Sequence, residues 1–154
     1  CNNNPQESYA LRLSTSTTFC RVVLMRITEY RQLVVDELTS VGIDISAGGI
    51  IKKEPPYVQL YPSDTFIEKP DATADGVEDF DITVNYDLTI IAGREDEDAS
   101  FDQLDTLIAQ CVYAVRTLDD VVVTSFVAID NTGIRYCAAT VSFSNTININ
   151  QGEL

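Results

Sequence analysis

The sequence contains no histidine, and its basic residues are few. Ten Lys and Arg stand against 24 Asp and Glu in 154 residues, which gives a formal net charge of −14. Histidine is the commonest general base and the commonest metal ligand. Its absence excludes Ser–His and Cys–His catalytic pairs and argues against an enzyme. Nucleic-acid binding through counterion release needs clustered Lys and Arg, so no specific nucleic-acid binding is expected.

Long apolar runs and paired-cysteine motifs are also missing. No stretch approaches the roughly 20 apolar residues of a membrane-spanning helix, so we expect no membrane insertion. The four cysteines are Cys1, Cys20, Cys111 and Cys137, and none forms a CxxC pair, which argues against a zinc ribbon or a thioredoxin-like site. They are expected to be small buried side chains, with cross-subunit disulfides as the sharper alternative.

The remaining templates for catalysis or metal binding fit poorly. Gly48-Gly49 lacks both the GxGxxG spacing and a following Walker lysine. The acidic run Glu95, Asp96, Glu97 and Asp98 could offer oxygens to a divalent cation, but it lacks the alternation and central Gly of an EF-hand. A solvated acidic surface at a helix start is the simpler interpretation. We therefore expect no metal and no cofactor.

A chain of this length corresponds to a single domain, 1–154, with residues 1–14 as a polar N-terminal arm and 148–154 as a polar C-terminal tail. The acids are concentrated. Between Asp64 and Asp105 there are fourteen, against only Lys69 and Arg94, a balance of −12. Such a field keeps a protein soluble and repels other polyanions, including DNA.

Two segments have the three-and-four spacing of amphipathic helices. The first is predicted from Thr18 to Val41, with N-cap oxygens offered by Ser14 to Thr17 and with Gly42 closing it. The second is predicted from the capping box of Ser100 and Gln103 to about Thr117. Between the first helix and the first long strand, residues 44–56 are predicted to be a loop.

Strict alternation of apolar and polar residues from Asp79 to Ile90 predicts a long strand with one face on the core. A strand from Tyr57 to about Ile67 precedes it, with Pro62 expected at an edge, a bulge or the strand's end. The loop 68–78 would join the two as a long hairpin with a mobile acidic tip. Gly93 is expected to end the second strand.

A β-rich segment from Val121 to Ile129, the turn Asp130 to Gly133 and a last strand from Arg135 complete the pattern. The predicted order is α-β-β-α-β-β. The expected fold is α+β, an antiparallel sheet of about four strands with two helices packed on one face.

Taken together, this arrangement resembles the tail terminator family of long-tailed bacteriophages. The resemblance rests on the opening helix, the strand start Pro55-Pro-Tyr-Val-Gln-Leu60, the alternating strand Asp81-Ile-Thr-Val-Asn-Tyr-Asp-Leu-Thr-Ile-Ile91 and the finish Tyr136-Cys-Ala-Ala-Thr-Val-Ser-Phe143. It covers about residues 17–147 and is a match of pattern and order, without an invariant motif. The stronger acidity and Cys1 are not explained by it.

The resemblance implies a virion structural protein, assembled in the host cytoplasm, that forms a hexameric ring. The ring would cap the tail tube and join it to the head–tail connector or neck proteins, with DNA passing through it. The candidate subunit interface is Tyr57, Gln59, Tyr61, Asp81, Thr83, Asn85 and Asp87. Glu95, Asp96, Glu97 and Asp98 are the candidate acidic residues facing the lumen.

Two further interpretations remain open at this stage. A chain that starts with Cys1 and a polar Asn-rich stretch could be a bacterial surface lipoprotein or adhesion module lipidated at Cys1, although no apolar leader segment is present. A small binding or regulatory domain could also use the polar face of the sheet.

Overall fold

The computed structural model describes residues 23–24, 26–47, 54–69 and 79–150. Its elements are β1 (Val23–Leu24), α1 (Ile27–Ser40), β2 (Ile45–Ala47), β3 (Tyr57–Glu68), β4 (Asp79–Arg94), α2 (Asp98–Ala114), β5 (Asp119–Ile129) and β6 (Arg135–Asn150). The polar arm with Cys1, the N-cap candidates Ser14 to Thr17, Cys20, Gly48-Gly49 and the hairpin tip lie outside the described residues.

The strands form one sheet in which β6 and β4 are central. β6 pairs antiparallel with β4 on one side and with β5 on the other, and β4 pairs antiparallel with β3. The two short strands add parallel pairs at the margins, β1 beside the end of β6 and β2 beside β3. The predicted α+β fold with four antiparallel strands, two helices and the order α-β-β-α-β-β is confirmed.

The alternation in β4 places every second side chain in the core. Ile82, Val84, Tyr86, Leu88 and Ile90 are all at most 3% exposed, as predicted from the pattern. The register sets each of them opposite an odd-numbered residue of β6, for example Leu88 opposite Val141. Burial of such side chains contributes roughly 1.5–3 kcal/mol each, so this face provides much of the stability.

Both helices cover this same face of the sheet. α1 contributes Tyr30, Val34 and Leu38 to the core, and α2 contributes Leu104, Cys111 and Ala114. The Tyr30 ring meets the Tyr86 ring edge-on, with 5.6 Å between centroids. Because both helices of the described residues lie on one side, the opposite face of the sheet carries neither of them, and we call it the helix-free face.

The end of α1 is set by Gly42, as predicted. Its φ of 88° lies in the left-handed region, which glycine adopts without a Cβ penalty. The Gly42 N–H donates to the Thr39 carbonyl and the Ile43 N–H to the Leu38 carbonyl, both at 3.0 Å. This is the hydrogen-bond pattern of a Schellman motif, and the buried pair Leu38 and Ile43 supplies its apolar contact.

The predicted start of α1 at Thr18 is wrong for the described residues, because Val23–Leu24 is a strand paired with Ile147 and Asn148 of β6. The helix begins only at Ile27, where the Glu29 carboxylate accepts a hydrogen bond from the Arg26 N–H at 3.0 Å. The loop predicted for residues 44–56 also contains β2. Both short strands are held by pairing with distant residues, which local spacing does not reveal.

The remaining boundaries differ in informative ways. Gly93 does not end β4, which continues to Arg94 with an irregular register after Ile91. α2 begins at Asp98 and ends at Ala114, and Ser100 lies inside it as a buried residue, so the predicted capping box at Ser100 is wrong. β6 extends to Asn150, which takes the first residues of the predicted polar tail into the sheet.

Candidate interaction surface

The face of the sheet that carries no helix presents a ladder of polar side chains from β3, β4 and β6. The Asn148 amide donates to Asp81 at 2.9 Å, and the hydroxyls of Thr83 and Thr146 lie 3.4 Å apart. The Asn85 amide donates to the Thr65 carbonyl at 2.8 Å. These contacts link β3, β4 and β6 across the face.

The seven predicted interface residues all lie on this helix-free face. They are Tyr57, Gln59, Tyr61, Asp81, Thr83, Asn85 and Asp87. Register brings them together, since Gln59 lies opposite Thr89 and Tyr61 opposite Asp87. They are not equally available: Tyr61 is 37% exposed, whereas Gln59 is 8% exposed and accepts the Tyr61 hydroxyl at 2.6 Å.

Proline at position 62 occurs where such a residue is tolerated. Pro62 pairs with Tyr86, and the register of β3 against β4 shifts between Pro62 and Ile67. On the other side of β3, β2 pairs only with residues 58 to 60. Pro62 therefore lies beside an irregularity and beyond the β2 pairing, so its missing N–H costs no ladder hydrogen bond there. The Ser63 hydroxyl then donates to Asp87 at 2.7 Å, which anchors this end of the surface.

Strand β5 was predicted from the sequence, but the exposure of its apolar side chains was not. Its exposed apolar side chains point to both faces, and they are Val122, Val123, Phe126, Val127 and Ile129. The helices cover β4 and β6, and β5 extends past that cover. The run Val121 to Ile129 contains no charged residue and no strict alternation of apolar and polar residues. This pattern could have indicated that both faces of the strand have the same environment.

Carboxylates flank the uncharged part of β5. At its start Asp120 has a φ of 52°, unusual for a residue with a Cβ, and accepts the Ser144 hydroxyl at 3.1 Å. At its end the turn after Ile129 is organised by Asp130, whose carboxylate accepts from the N–H and hydroxyl of Thr132 and from the Ile134 N–H. These bonds, the Thr132 hydroxyl foremost, lower the pKa of Asp130, so it is a carboxylate at neutral pH.

Two further exposed aromatic rings lie on α2, one near each end of the helix. Phe101 is 54% exposed and Tyr113 is 57% exposed. The Arg116 guanidinium lies over the Tyr113 ring, 3.9 Å from its centroid, in a cation–π contact. Because α2 packs on the core face of the sheet, these rings lie on the opposite side of the molecule from the helix-free face.

The predicted acidic residues sit in the connection between β4 and α2. The Arg135 side chain donates to the Glu95 carboxylate, and Arg94 pairs with Asp96 at 3.1 Å. The hydrogen bond from Arg135 lowers the pKa of Glu95. Glu97 caps α2 and Asp98 begins it, where negative charge favours the helix dipole. Two of the four acids are thus paired with arginines, and two serve the helix start.

No group of three or more His, Cys, Asp or Glu side chains within the described ranges is arranged to hold a metal ion. The helices of the described residues are also too short or too polar to cross a membrane. Cys111 and Cys137 are buried and unpaired, as expected for small core side chains. Cys1 and Cys20 fall outside the described part of the chain.

No protein-family model matches this chain, and no curated protein matches it.

Proposed function

We propose that this chain is a structural subunit of a phage tail or neck, a tail terminator that forms a hexameric ring capping the tail tube and joining it to the head connector. One observation carries the proposal: two unlike surfaces with exposed large side chains lie on opposite sides of one small domain. The first surface is the helix-free face with the exposed Tyr61 and the half-buried Tyr57, and the second is the outer side of α2 with Phe101 and Tyr113.

Two unlike surfaces are what a ring requires. In a head-to-tail contact, one patch of each subunit binds a different patch of its neighbour, and the ring closes when the rotation per subunit divides a full turn. A two-fold dimer would need only one self-complementary patch. Aromatic side chains are enriched at the centres of such interfaces because they bury much area with little loss of side-chain entropy.

The polar ladder of the helix-free face suits an interface as well. Side chains such as Asp81, Asn85 and Asp87 are already held by intramolecular hydrogen bonds, so ordering them on binding costs little entropy. Polar groups around Tyr61 would form the rim, and the partner would cover the tyrosine ring. Beneath these residues, the other face of β3 and β4 is packed in the core.

The acidic segment supports a role around DNA. In the ring, Glu95 to Asp98 would face the lumen, where carboxylates repel the phosphates of passing DNA and prevent it from adhering. The strongly negative charge of the whole chain agrees with this arrangement. The acids would then act by repulsion, with no specific contact to bases.

The test measures assembly of the purified full chain by light scattering and negative-stain electron microscopy. We expect rings of uniform size. Tyr61→Lys places a charge at the centre of the helix-free face, and Phe101→Lys does so on α2; each should abolish rings. Gln32→Lys adds the same charge at an exposed position of α1, outside both proposed surfaces, and is the matched control that should leave rings intact.

Mixing the two variants distinguishes the geometry. In a head-to-tail contact, Tyr61→Lys retains an intact α2 surface and Phe101→Lys an intact sheet face, so an equimolar mixture should give dimers that do not grow. Each variant alone should stay monomeric. A chain that remains monomeric at all concentrations, or variants that dimerise alone, would overturn the ring proposal.

A further inference from the structure

The layer of helices on the core face of the sheet ends before it reaches β5. α1 and α2 lie side by side, since the Gln110 amide of α2 donates to the Val41 carbonyl at the end of α1 at 3.2 Å. α2 packs on β4 and β6. Packed helices lie about 8–10 Å apart and neighbouring strands about 4.8 Å apart, so each helix covers about two strands. The next position in this layer lies over β5, and neither helix of the described residues fills it.

The β5 side chains beneath that position are apolar and exposed. Val123 pairs with Val141 of β6, which is buried in the core, so the odd-numbered residues of β5 point to the core face. Of these, Val123 is 41% exposed, Val127 38% and Ile129 62%. Side chains that belong to the core face by register are therefore uncovered at this edge of the sheet.

The side of α2 that faces β5 is also apolar. An α-helix turns about 100° per residue, so Ile108 and Val112, two positions on either side of Gln110, lie about 160° around the helix from it. Because Gln110 contacts the end of α1, these two residues face away from α1 and towards β5. Both are partly buried against the core. Together these residues form what we call the β5 strip, consisting of Ile108, Val112, Val123, Val127 and Ile129.

Carboxylates border the β5 strip. Asp98 and Asp105 are exposed and lie on the half of α2 turned away from Gln110. Asp120 and Asp130 flank the uncharged part of β5 at its two ends. An apolar surface bordered by acids is complementary to an apolar segment that carries basic residues.

The arginines near the β5 strip do not cancel this charge. Arg116 lies towards the end of α2, where its guanidinium is held over the Tyr113 ring, 3.9 Å from the centroid. Arg135 pairs with Ile129 across the strands, and its side chain donates to the Glu95 carboxylate. The acids that border the strip are therefore available to a basic partner.

A second copy of this chain is a poor occupant. Within the described residues, the apolar side chains Tyr30, Val34 and Leu38 of α1 are buried in the subunit's own core. The exposed residues of α2 include Asp102 and Asp105, which would meet the acids of the strip as like charges. The net charge of −14 adds to this repulsion between copies.

We propose that the β5 strip binds a basic amphipathic helix of a partner protein. Val123 and Ile129 are six positions apart, about 20 Å along a strand, which is the length of a helix of about 13 residues. The apolar face of that helix covers the strip, and its Lys or Arg side chains lie beside Asp98 and Asp105. The proposal goes beyond the ring, because each subunit carries the complete strip.

Binding of a synthetic peptide to the full chain tests this proposal by fluorescence anisotropy. The peptide has about 18 residues, with Leu at i, i+3, i+4 and i+7 spacing and Lys at the other positions, and can form a helix on binding. We expect it to bind, with an affinity that falls as salt is added. A scrambled peptide of the same composition should bind at least about tenfold more weakly, since its Leu side chains do not share one face. A peptide with Glu in place of Lys should not bind.

Two pairs of variants locate the site. Val123→Ser/Val127→Ser removes apolar contact without changing the charge and should weaken binding at least about tenfold. Val122→Ser/Thr124→Ser alters the other face of the same strand and should leave binding unchanged. Asp98→Asn/Asp105→Asn should weaken binding at least about threefold and reduce its salt dependence.

The matched control for these acids is Asp36→Asn/Asp64→Asn, which removes the same charge at exposed positions away from the strip and should change binding less. Equal binding of the ordered and scrambled peptides, or no binding of the Leu/Lys peptide, would overturn the proposal. Unchanged binding in Val123→Ser/Val127→Ser would also overturn it.

Ring formation, measured by light scattering, separates this proposal from the ring. Val123→Ser/Val127→Ser should lose peptide binding and still assemble as the unaltered chain does. If this variant loses its rings as well, the β5 strip is a contact between subunits, and the proposal of a separate partner is wrong. Peptide binding by a chain that forms no rings would support the strip while overturning the ring.

Discussion

Arg135 and Glu95 are joined twice, once through side chains and once through the backbone. The Arg135 guanidinium donates to the Glu95 carboxylate, and the Glu95 N–H donates to the Arg135 carbonyl at 2.9 Å. Together these bonds fasten the connection after β4 to the start of β6, where the β4 register has become irregular. The pair therefore determines how the acidic segment leaves the sheet.

Glu95→Gln should lower stability at neutral pH and have less effect in acid. The Arg135 hydrogen bond holds the pKa of Glu95 below its ordinary value of 4.5. A carboxyl whose pKa is lower in the folded state stabilises above its unfolded pKa, and this contribution is lost as the pH falls through the folded value. Urea denaturation at neutral pH and below pH 4.5 would measure the two differences. Asp96→Asn is the control, because the exposed ion pair of Asp96 with Arg94 lies within one local turn. An equal pH dependence of stability in both variants would show that the Arg135–Glu95 hydrogen bond is not the cause.

Gly93→Ala should destabilise the protein by about 1–3 kcal/mol, because the added methyl group would overlap the Ser100 hydroxyl of α2. Removing that hydroxyl should relieve part of the overlap. The double variant Gly93→Ala/Ser100→Ala is thus expected to be more stable than the sum of the two single changes. Thermal or urea unfolding would measure the stability of the unaltered protein, the two single variants and the double variant. If the two single losses of stability simply add, overlap with the Ser100 hydroxyl is not the cause.

The role of Gly93 could not be predicted from the sequence. A glycine after a strand pattern predicts a break, yet here the residue serves the close approach of α2 to β4. By contrast, the alternation from Phe80 to Ile90 and the end of α1 at Gly42 were predictable. In both cases the determinant is local: the pleat of one strand, and one left-handed residue.

The short strands could not be predicted for the same physical reason. Val23 and Ile27 are four positions apart, which also fits a helix, and only pairing with Ile147 makes Val23–Leu24 a strand. The candidate interaction surface was likewise predictable only in part. Alternation placed Tyr61 and Asp87 on one face, but the exposure of β5 depends on where the helices end, which no local pattern contains.

Tyr30→Phe should leave stability unchanged or raise it by up to about 2 kcal/mol. The Tyr30 hydroxyl is buried and has no hydrogen-bond partner in the described part of the chain, and burial raises its pKa, so it stays protonated. The aromatic ring of Tyr30 contributes to stability through its edge-on contact with the Tyr86 ring. Tyr30→Ala should therefore cost about 3–5 kcal/mol. A loss above 1 kcal/mol in Tyr30→Phe would show that the hydroxyl has a partner in solution.

Cys111 and Cys137 should not react with thiol reagents in the folded protein. Both are at most 4% exposed, and burial raises the pKa of Cys111 to about 12, so almost no thiolate is present at neutral pH. The experiment uses Cys1→Ser/Cys20→Ser, so that only these two thiols remain. Reaction is expected only on unfolding in denaturant. Rapid modification under native conditions would show that the α2 and β6 packing opens.

Neutralising the acids before α2 should make the assembled ring retain DNA. We expect Asp96→Asn/Glu97→Gln/Asp98→Asn to bind duplex DNA at low salt, where electrostatic contacts are strongest. Asp36→Asn/Asp44→Asn/Glu54→Gln changes the net charge equally at exposed sites outside α2 and is the matched control. Filter binding across a salt series measures both. If the two variants retain DNA equally, only net charge matters, and the lumen placement of Glu95 to Asp98 is wrong.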